Sequence, residues 1–269
     1  MQNKIAYITR IKDEEQLMYN NLKYYYNMGI RNFYITFNNS NKETENIVNR
    51  FNDVHPESKL FIFFESNTEY NQIEQFNFMS TEAFKNGHTW HVPVDADELL
   101  VLKNETLQEL IKRHDVAEYG YINFRWVDYI PTKKHKNYFL SCEYRYPKGR
   151  PQSKIIVKWC DGMRYGHGHH LVVSKRKLLE EYTIKKGFMA HYANRNKEQI
   201  KKKRIRIGEA FIEKYGYDMK STNMGQVEEY KQWKKEGDVY FDRVWHNICE
   251  QRKKLDNFVY DPLDENMFI

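Results

Sequence analysis

The chain has 269 residues, of which 41% are hydrophobic and 30% charged, with 21 tyrosines and 16 phenylalanines; this is the make-up of a folded globular protein and excludes wholesale disorder. Its 43 Lys and Arg against 37 Asp and Glu leave +6, a modest excess whose location matters more than its size. No run approaches the roughly 18 apolar residues of a membrane-spanning helix, and the opening MQNKIAYITRIKDEE turns charged too early for a signal peptide, so neither is expected.

Lys4 to Thr9 reads as a short buried strand. From Glu14 to Asn27 the apolar positions Leu17, Met18, Leu22, Tyr25 and Tyr26 follow helical spacing, and Gly29 suits the end of that helix. Arg31 to Phe37 is the next strand, a helix covers 43–52, and Lys59 to Phe64 is a third strand. Residues 71–86 form a third helix closed by Gly87, and Thr89 to Val94 a fourth strand that runs into Asp95-Ala96-Asp97-Glu98. Strand and helix alternate three times, which predicts an α/β fold with a mainly parallel central sheet and helices on both faces. Such sheets bind ligands at the carboxyl ends of their strands, so the tips after Thr9, Phe37, Phe64 and Val94 should line one crevice. A helix at 104–114, strands at 119–126 and 154–159, and a charged, mostly helical stretch from Asn196 follow. The expected division is a catalytic domain over 1–190 and a C-terminal helical extension over 191–269 packed on it. There is no G-x-G-x-x-G and no P-loop. Cys142, Cys160 and Cys249 form no metal spacing and read as free thiols of a cytoplasmic protein.

Asp95 and Asp97, one residue apart at the end of a buried strand, are costly unless cations or donors meet them. Mg²⁺ or Mn²⁺ held together with a diphosphate would answer that cost; the bland reading is an N-cap on the following turn. His191 precedes a basic stretch, Arg195 to Lys203. Its imidazole can complete a metal shell, and Arg or Lys can neutralise phosphate; for Lys201 and Lys202 a solvated helix face is the better reading. Gly166-His167-Gly168-His169-His170 is a third cluster, placed either at a sugar-diphosphate site or on a surface loop. Residues 195–206 hold seven cations against Glu198, equal to the whole net charge. That patch is expected to meet a diphosphate in part and an anionic membrane surface or acceptor in part.

In this order the landmarks resemble glycosyltransferases of the GT-A fold, in the bacterial family-2-like branch related to glycosyltransferase family 92. The resemblance rests on Arg10-Ile-Lys-Asp-Glu-Glu15, Tyr24-Tyr25-Tyr26-Asn-Met-Gly29, Phe33 to Ser40, Trp90 to Leu99, Tyr121 to Arg125, Lys154 to Val157, and His191-Tyr192 with Arg195, Gln199, Lys203 and Gly208. It spans about residues 4–208; Asn38 stands where the family has Asp, and residues 209–269 match nothing. The resemblance implies a metal-dependent transferase using a nucleotide-sugar, with a UDP-sugar the first choice, and a glycan or glycolipid acceptor in surface polysaccharide synthesis. It implies Asp95, Asp97 and His191 as metal ligands. Thr9, Arg10 and Asn39 would lie beside the nucleoside, and Lys154, Arg195 and Lys203 beside the diphosphate, with His169 at the same site. Relatives in this branch mostly invert, which requires a general base; Asp128 is the first candidate, Asp161 the second, and His167 or His169 the third. A nucleotidyltransferase is a rival, disfavoured because Arg10-Ile-Lys-Asp-Glu has no glycine. A basic, aromatic nucleic-acid module is another, disfavoured because most aromatics fall at core spacing, so no nucleic-acid partner is expected.

Overall fold

The computed structural model describes residues 4–65, 71–114, 120–174, 179–216 and 224–269. Its first half is β1 (Ile5–Ile11), α1 (Met18–Asn27), β2 (Asn32–Asn38), α2 (Lys42–Val54), β3 (Lys59–Glu65), α3 (Gln72–Lys85) and β4 (Trp90–Pro93). These four strands are parallel in the order β3-β2-β1-β4. β1 is apolar on both sides because both sides are covered. Ile5, Tyr7 and Ile11 pack with Leu22 of α1 and Phe51 of α2, whereas Ala6 and Ile8 pack with Phe76 and Met79 of α3. Asn41 caps α2 by accepting from the Thr44 N–H at 2.8 Å, and Glu43 and Glu45 in its first turn suit the helix dipole.

The second half is β5 (Glu98–Leu102), α4 (Leu107–His114), β6 (Gly120–Ile130), β7 (Tyr144–Arg145), β8 (Ser153–Lys158), β9 (Met163–Tyr165), β10 (Val172–Ser174), β11 (Glu180–His191), α5 (Lys197–Tyr215), α6 (Met224–Glu236), α7 (Asp238–Arg252) and β12 (Val259–Tyr260). From β4 the sheet continues through β8, β6, β7 and β12, and β11 joins β6 to β5. β5, β7 and β8 run against the other strands of this sheet, so it is mainly parallel with helices on both faces, as the alternation predicts. β9 and β10 form a separate ribbon.

Two features depart from the sequence reading. β8 is antiparallel to β4 and β6, so it delivers its first residues, Ser153 and Lys154, to the end of the sheet where β4 finishes. β11 is a long strand beside β6, a segment whose mixed charge hides its burial. The residues after α7 pack on the domain: β12 pairs with β7, and the Phe268 ring lies 5.4 Å from that of Tyr24. No helix among the described residues is long and apolar enough to cross a membrane. Cys142 and Cys160 are buried, Cys249 is partly exposed, and all three are free thiols.

Candidate active site

The acidic segment is a tight turn between β4 and β5. The Val94 N–H still bonds to the Ile8 carbonyl at 3.0 Å, and the Glu98 N–H closes the turn on the Asp95 carbonyl at 3.0 Å. Buried polar groups of α1 hold this backbone. Asn21 Nδ2 donates to the Ala96 and Glu98 carbonyls, each at 3.0 Å, while its own Oδ1 accepts from Tyr7 at 2.7 Å. Tyr25 bonds to the Glu98 carbonyl and accepts from the Leu100 N–H. A helix that reads as ordinary core thus carries the fixture that orients the acids.

Asp97 is buried. Its Oδ2 lies 2.7 Å from Lys203 Nζ and 3.8 Å from His191 Nε2. Burial pushes the Asp97 carboxyl up, but Lys203 and then His191 outweigh burial and hold it well below the usual carboxylate range. His191 ends β11 directly opposite Asp128 of β6, because the two parallel strands pair in that register. The Asp128 Oδ1 accordingly sits 2.6 Å from His191 Nδ1, and its Oδ2 accepts from Arg150 Nε at 2.8 Å. Both oxygens are engaged. Burial raises the Asp128 pKa, but the His191 and Arg150 contacts bring it below its ordinary value. The expectation of Asp128 as a free base therefore does not match its surroundings: it orients an imidazole and leaves Nε2 turned to Asp97.

Beside this pair lies a second cluster, in which Asp95, Glu98 and His169 present ligand atoms within 4.8 Å of one another. The cation among them is a lysine. Lys154 Nζ is 2.8 Å from Glu98 Oε1, 2.8 Å from His169 Nε2 and 3.3 Å from Asp95 Oδ2. The Lys154 ammonium is the positive charge set among these three groups. Lys154 and Glu98 are almost fully buried. Burial alone would lower the lysine and raise the acid, yet each overrides it in the other: the Lys154 pKa is raised and that of Glu98 falls to about 2. Lys154 is thus an internal counter-ion of the acidic turn rather than an open phosphate contact.

A cavity of about 850 Å³ opens over these groups, between the strand tips and α5. Arg10, Lys12, Asn38, Asp95, Asp97, Lys154, His191 and Lys203 all line it, which brings the metal candidates and part of the donor candidates together. Arg10 pairs with Glu65 at 2.8 Å across the strand tips. Thr9 is fully buried in the sheet, and Asn39 is exposed in a turn at φ 46°; neither lines the cavity. Arg195 is buried against Glu14 at 2.8 Å. His169 is buried and stacks on Phe76 at 4.4 Å. The side chain of His167 lies outside the described residues. Asp161 is a correction: it follows β8 at the end where Lys158 pairs with Trp90, the start of β4, and so stands at the opposite end of the sheet from Asp95 and Asp97. The basic segment is also corrected. Arg195, Lys197, Lys201, Lys203, Arg204 and Arg206 pair with Glu14, Asp242, Asp238, Asp97, Glu229 and Asp13, so it is a set of interior and inter-helix contacts more than a charged face.

Glu98, Trp126 and Arg150 escaped sequence reasoning, and His170 entered it only as a member of the histidine cluster at 166–170. The signal for Glu98 is its place in a third acidic position of the turn; the others become neighbours only through the β6, β8 and β11 pairing.

No family model and no curated protein matches the chain. Among solved structures it is similar to the mannosyltransferase PcManGT from Pyrobaculum calidifontis in complex with GDP-Man and Mn²⁺, at 13% identity and a TM-score of 0.47, covering 93% of this chain and 75% of that one. It is also similar to HddC from Yersinia pseudotuberculosis, at 10% identity and a TM-score of 0.38, covering 74% of this chain and 97% of that one. Likenesses this distant carry no weight for function, which rests on the site's own chemistry.

Proposed function

We propose that this chain is a metal-dependent glycosyltransferase of GT-A type, moving a sugar from a nucleoside-diphosphate donor, a UDP-sugar in the first instance, to a hydroxyl of a glycan or glycolipid acceptor in surface polysaccharide synthesis. The observation that carries this reading is the convergence of Asp97 and His191 on the cavity at the carboxyl end of β4, with Asp128 fixing the imidazole from behind. Carboxylate oxygens and an imidazole nitrogen suit Mn²⁺ or Mg²⁺, and an Asp–His pair behind a ligand is the usual means of orienting it. Asp97 and His191 would hold the ion, with Asp95 beside them. A bound ion there would supply positive charge against the leaving diphosphate.

The remaining work falls to the chain's own residues. Lys203 lines the cavity from α5, paired to Asp97, and would meet a phosphate oxygen once an ion takes up that carboxylate, while Arg10, Lys12 and Asn38 would flank the nucleoside end. Lys12 is held below its usual pKa by burial and then by Arg206, so an anion there would relieve real repulsion. Asp128 serves as a positioning residue for His191 in place of the base role. The C-terminal extension over 191–269 contributes His191 and Lys203 to a site whose acidic turn comes from the first domain.

The test is thermal shift with UDP, GDP, CMP and dTDP, each with and without Mn²⁺. At a hundredfold excess over Kd a ligand adds about 2.7 kcal/mol of stability. A nucleoside diphosphate, UDP foremost, should raise Tm by several degrees only with Mn²⁺. No metal-linked shift with any of the four would remove the reading.

A further inference from the structure

Transfer with inversion needs a base whose lone pair faces the cavity. Asp128 has both oxygens engaged, and Asp161 lies at the wrong end of the sheet. His170 lines the same cavity. Its Nδ1 lies 2.7 Å from the Ser153 carbonyl oxygen. A carbonyl only accepts, so Nδ1 carries the proton and Nε2 keeps its lone pair. Among the described residues Nε2 has no hydrogen-bond partner.

The surroundings are shaped to this ring. Gly168 stands at φ +64°, and a Cβ there would come within 2.7 Å of His170 Cδ2 and Nε2, so only glycine lets the ring lie over that turn. On its other side the ring packs 4.9 Å from Trp126, which in turn lies 4.6 Å from His191. Trp126 thus stands between the imidazole proposed for the metal and this one. The buried indole N–H of Trp126 has no partner among the described residues. The Arg150 guanidinium lies 4.2 Å over the same indole. The charged groups around His170 are Lys154 of β8, Glu98 of β5 and its neighbour His169. Burial, then Lys154, push its pKa down to about 4 against the weaker pull of Glu98, so at neutral pH it is an uncharged acceptor. A donor diphosphate bound in the cavity would raise it toward the working pH.

We propose that His170 Nε2 is the general base of the transfer; this rests on the glycosyltransferase reading above. The acceptor O–H proton passes to Nε2, and the oxygen lone pair forms the bond to the sugar C1. The bond from C1 to the diphosphate oxygen breaks, and its electron pair leaves with the nucleoside diphosphate. C1 is inverted, and the imidazolium later returns its proton to solvent.

The first measurement uses the imidazole ¹H–¹⁵N spectrum of the full chain with and without UDP and Mg²⁺. The expected result is an Nδ1–H tautomer for His170 and a pKa that rises when UDP and Mg²⁺ bind. An Nε2–H tautomer, or a pKa unmoved by bound nucleotide, overturns the proposal. The second follows UDP release from UDP-glucose, UDP-galactose and UDP-N-acetylglucosamine, with water or methyl hexosides as acceptors. His170→Gln should keep the Mn²⁺-linked Tm shift with UDP yet lose about 10²–10⁴-fold in rate. Its pH profile should lose the acid limb, and added imidazole should partly restore His170→Ala. A His170→Gln rate within threefold of the wild type, or a product of retained configuration, sinks the proposal while leaving the glycosyltransferase reading intact. A wild-type chain that binds no nucleotide and releases no UDP removes both.

Discussion

The turn at Asp95 to Glu98 gathers three carboxylates, two of them buried, and Lys154 and Lys203 offset their charge. Lys154 and Glu98 are 1% and 0% exposed in their side chains. Removing one partner of a buried pair leaves the other uncompensated, which costs about 3–5 kcal/mol. Lys154→Met should lower the unfolding free energy measured in urea by that amount; a change below about 1 kcal/mol would be the size of an exposed pair and would contradict this burial. The same pair fixes a pH dependence. Glu98 is depressed to about 2 in the fold, against about 4.3 in an unfolded chain. Its contribution is therefore fully present above about pH 4.3 and is lost as pH falls through about 2. Asp97, also held low, adds to stability with the same sign. The Tm should fall steeply below pH 4, and less steeply in Glu98→Gln. Little of this was legible in the sequence. Asp95 and Asp97 stand out because carboxylates rarely follow a buried strand, but Lys154 is 59 residues from Asp95, and no local pattern tells that its strand runs backwards.

At the scale of elements, the strands β1 to β4 and helices α1 to α3 could be read from periodicity, since each is covered on both faces or on one stripe and repeats accordingly. β11 could not, because its charged residues break the apolar run even though Phe188, Met189 and Ala190 are buried. Its register with β6 decides the site: it sets His191 against Asp128 and turns an expected base into a support. The helix α5 shows the same limit. Its cations read as one patch, whereas the structure spends them on separate partners in the cavity, in α6 and in α7. The contact of α5 with α6 can be tested at Gly208. A helical Gly→Ala change normally gains about 1 kcal/mol, but here the new Cβ would lie 2.4 Å from Tyr230 Cβ. Overpacking of this kind costs about 1–3 kcal/mol, so Gly208→Ala should destabilise in urea and lower the affinity for nucleotide through Lys203. A stabilised variant would show that the two helices are not packed this closely.

For the whole molecule, the arrangement joins a parallel half that provides the acidic turn, an antiparallel half that brings Lys154 and His170, and a helical extension that lays Lys203 over both. Each part alone is an unremarkable α/β or helical segment; the cavity exists only where they meet. The central claim is that Asp97 and His191 hold a divalent ion together with a nucleoside diphosphate. Titrating the chain into Mn²⁺ with UDP present, and following the free-ion EPR signal, tests it most directly. The wild type should remove the free signal stoichiometrically, with far weaker uptake when UDP is omitted, and Asp97→Asn should leave most of it free. Equal uptake by the wild type and Asp97→Asn, or no uptake by the wild type, would contradict the account.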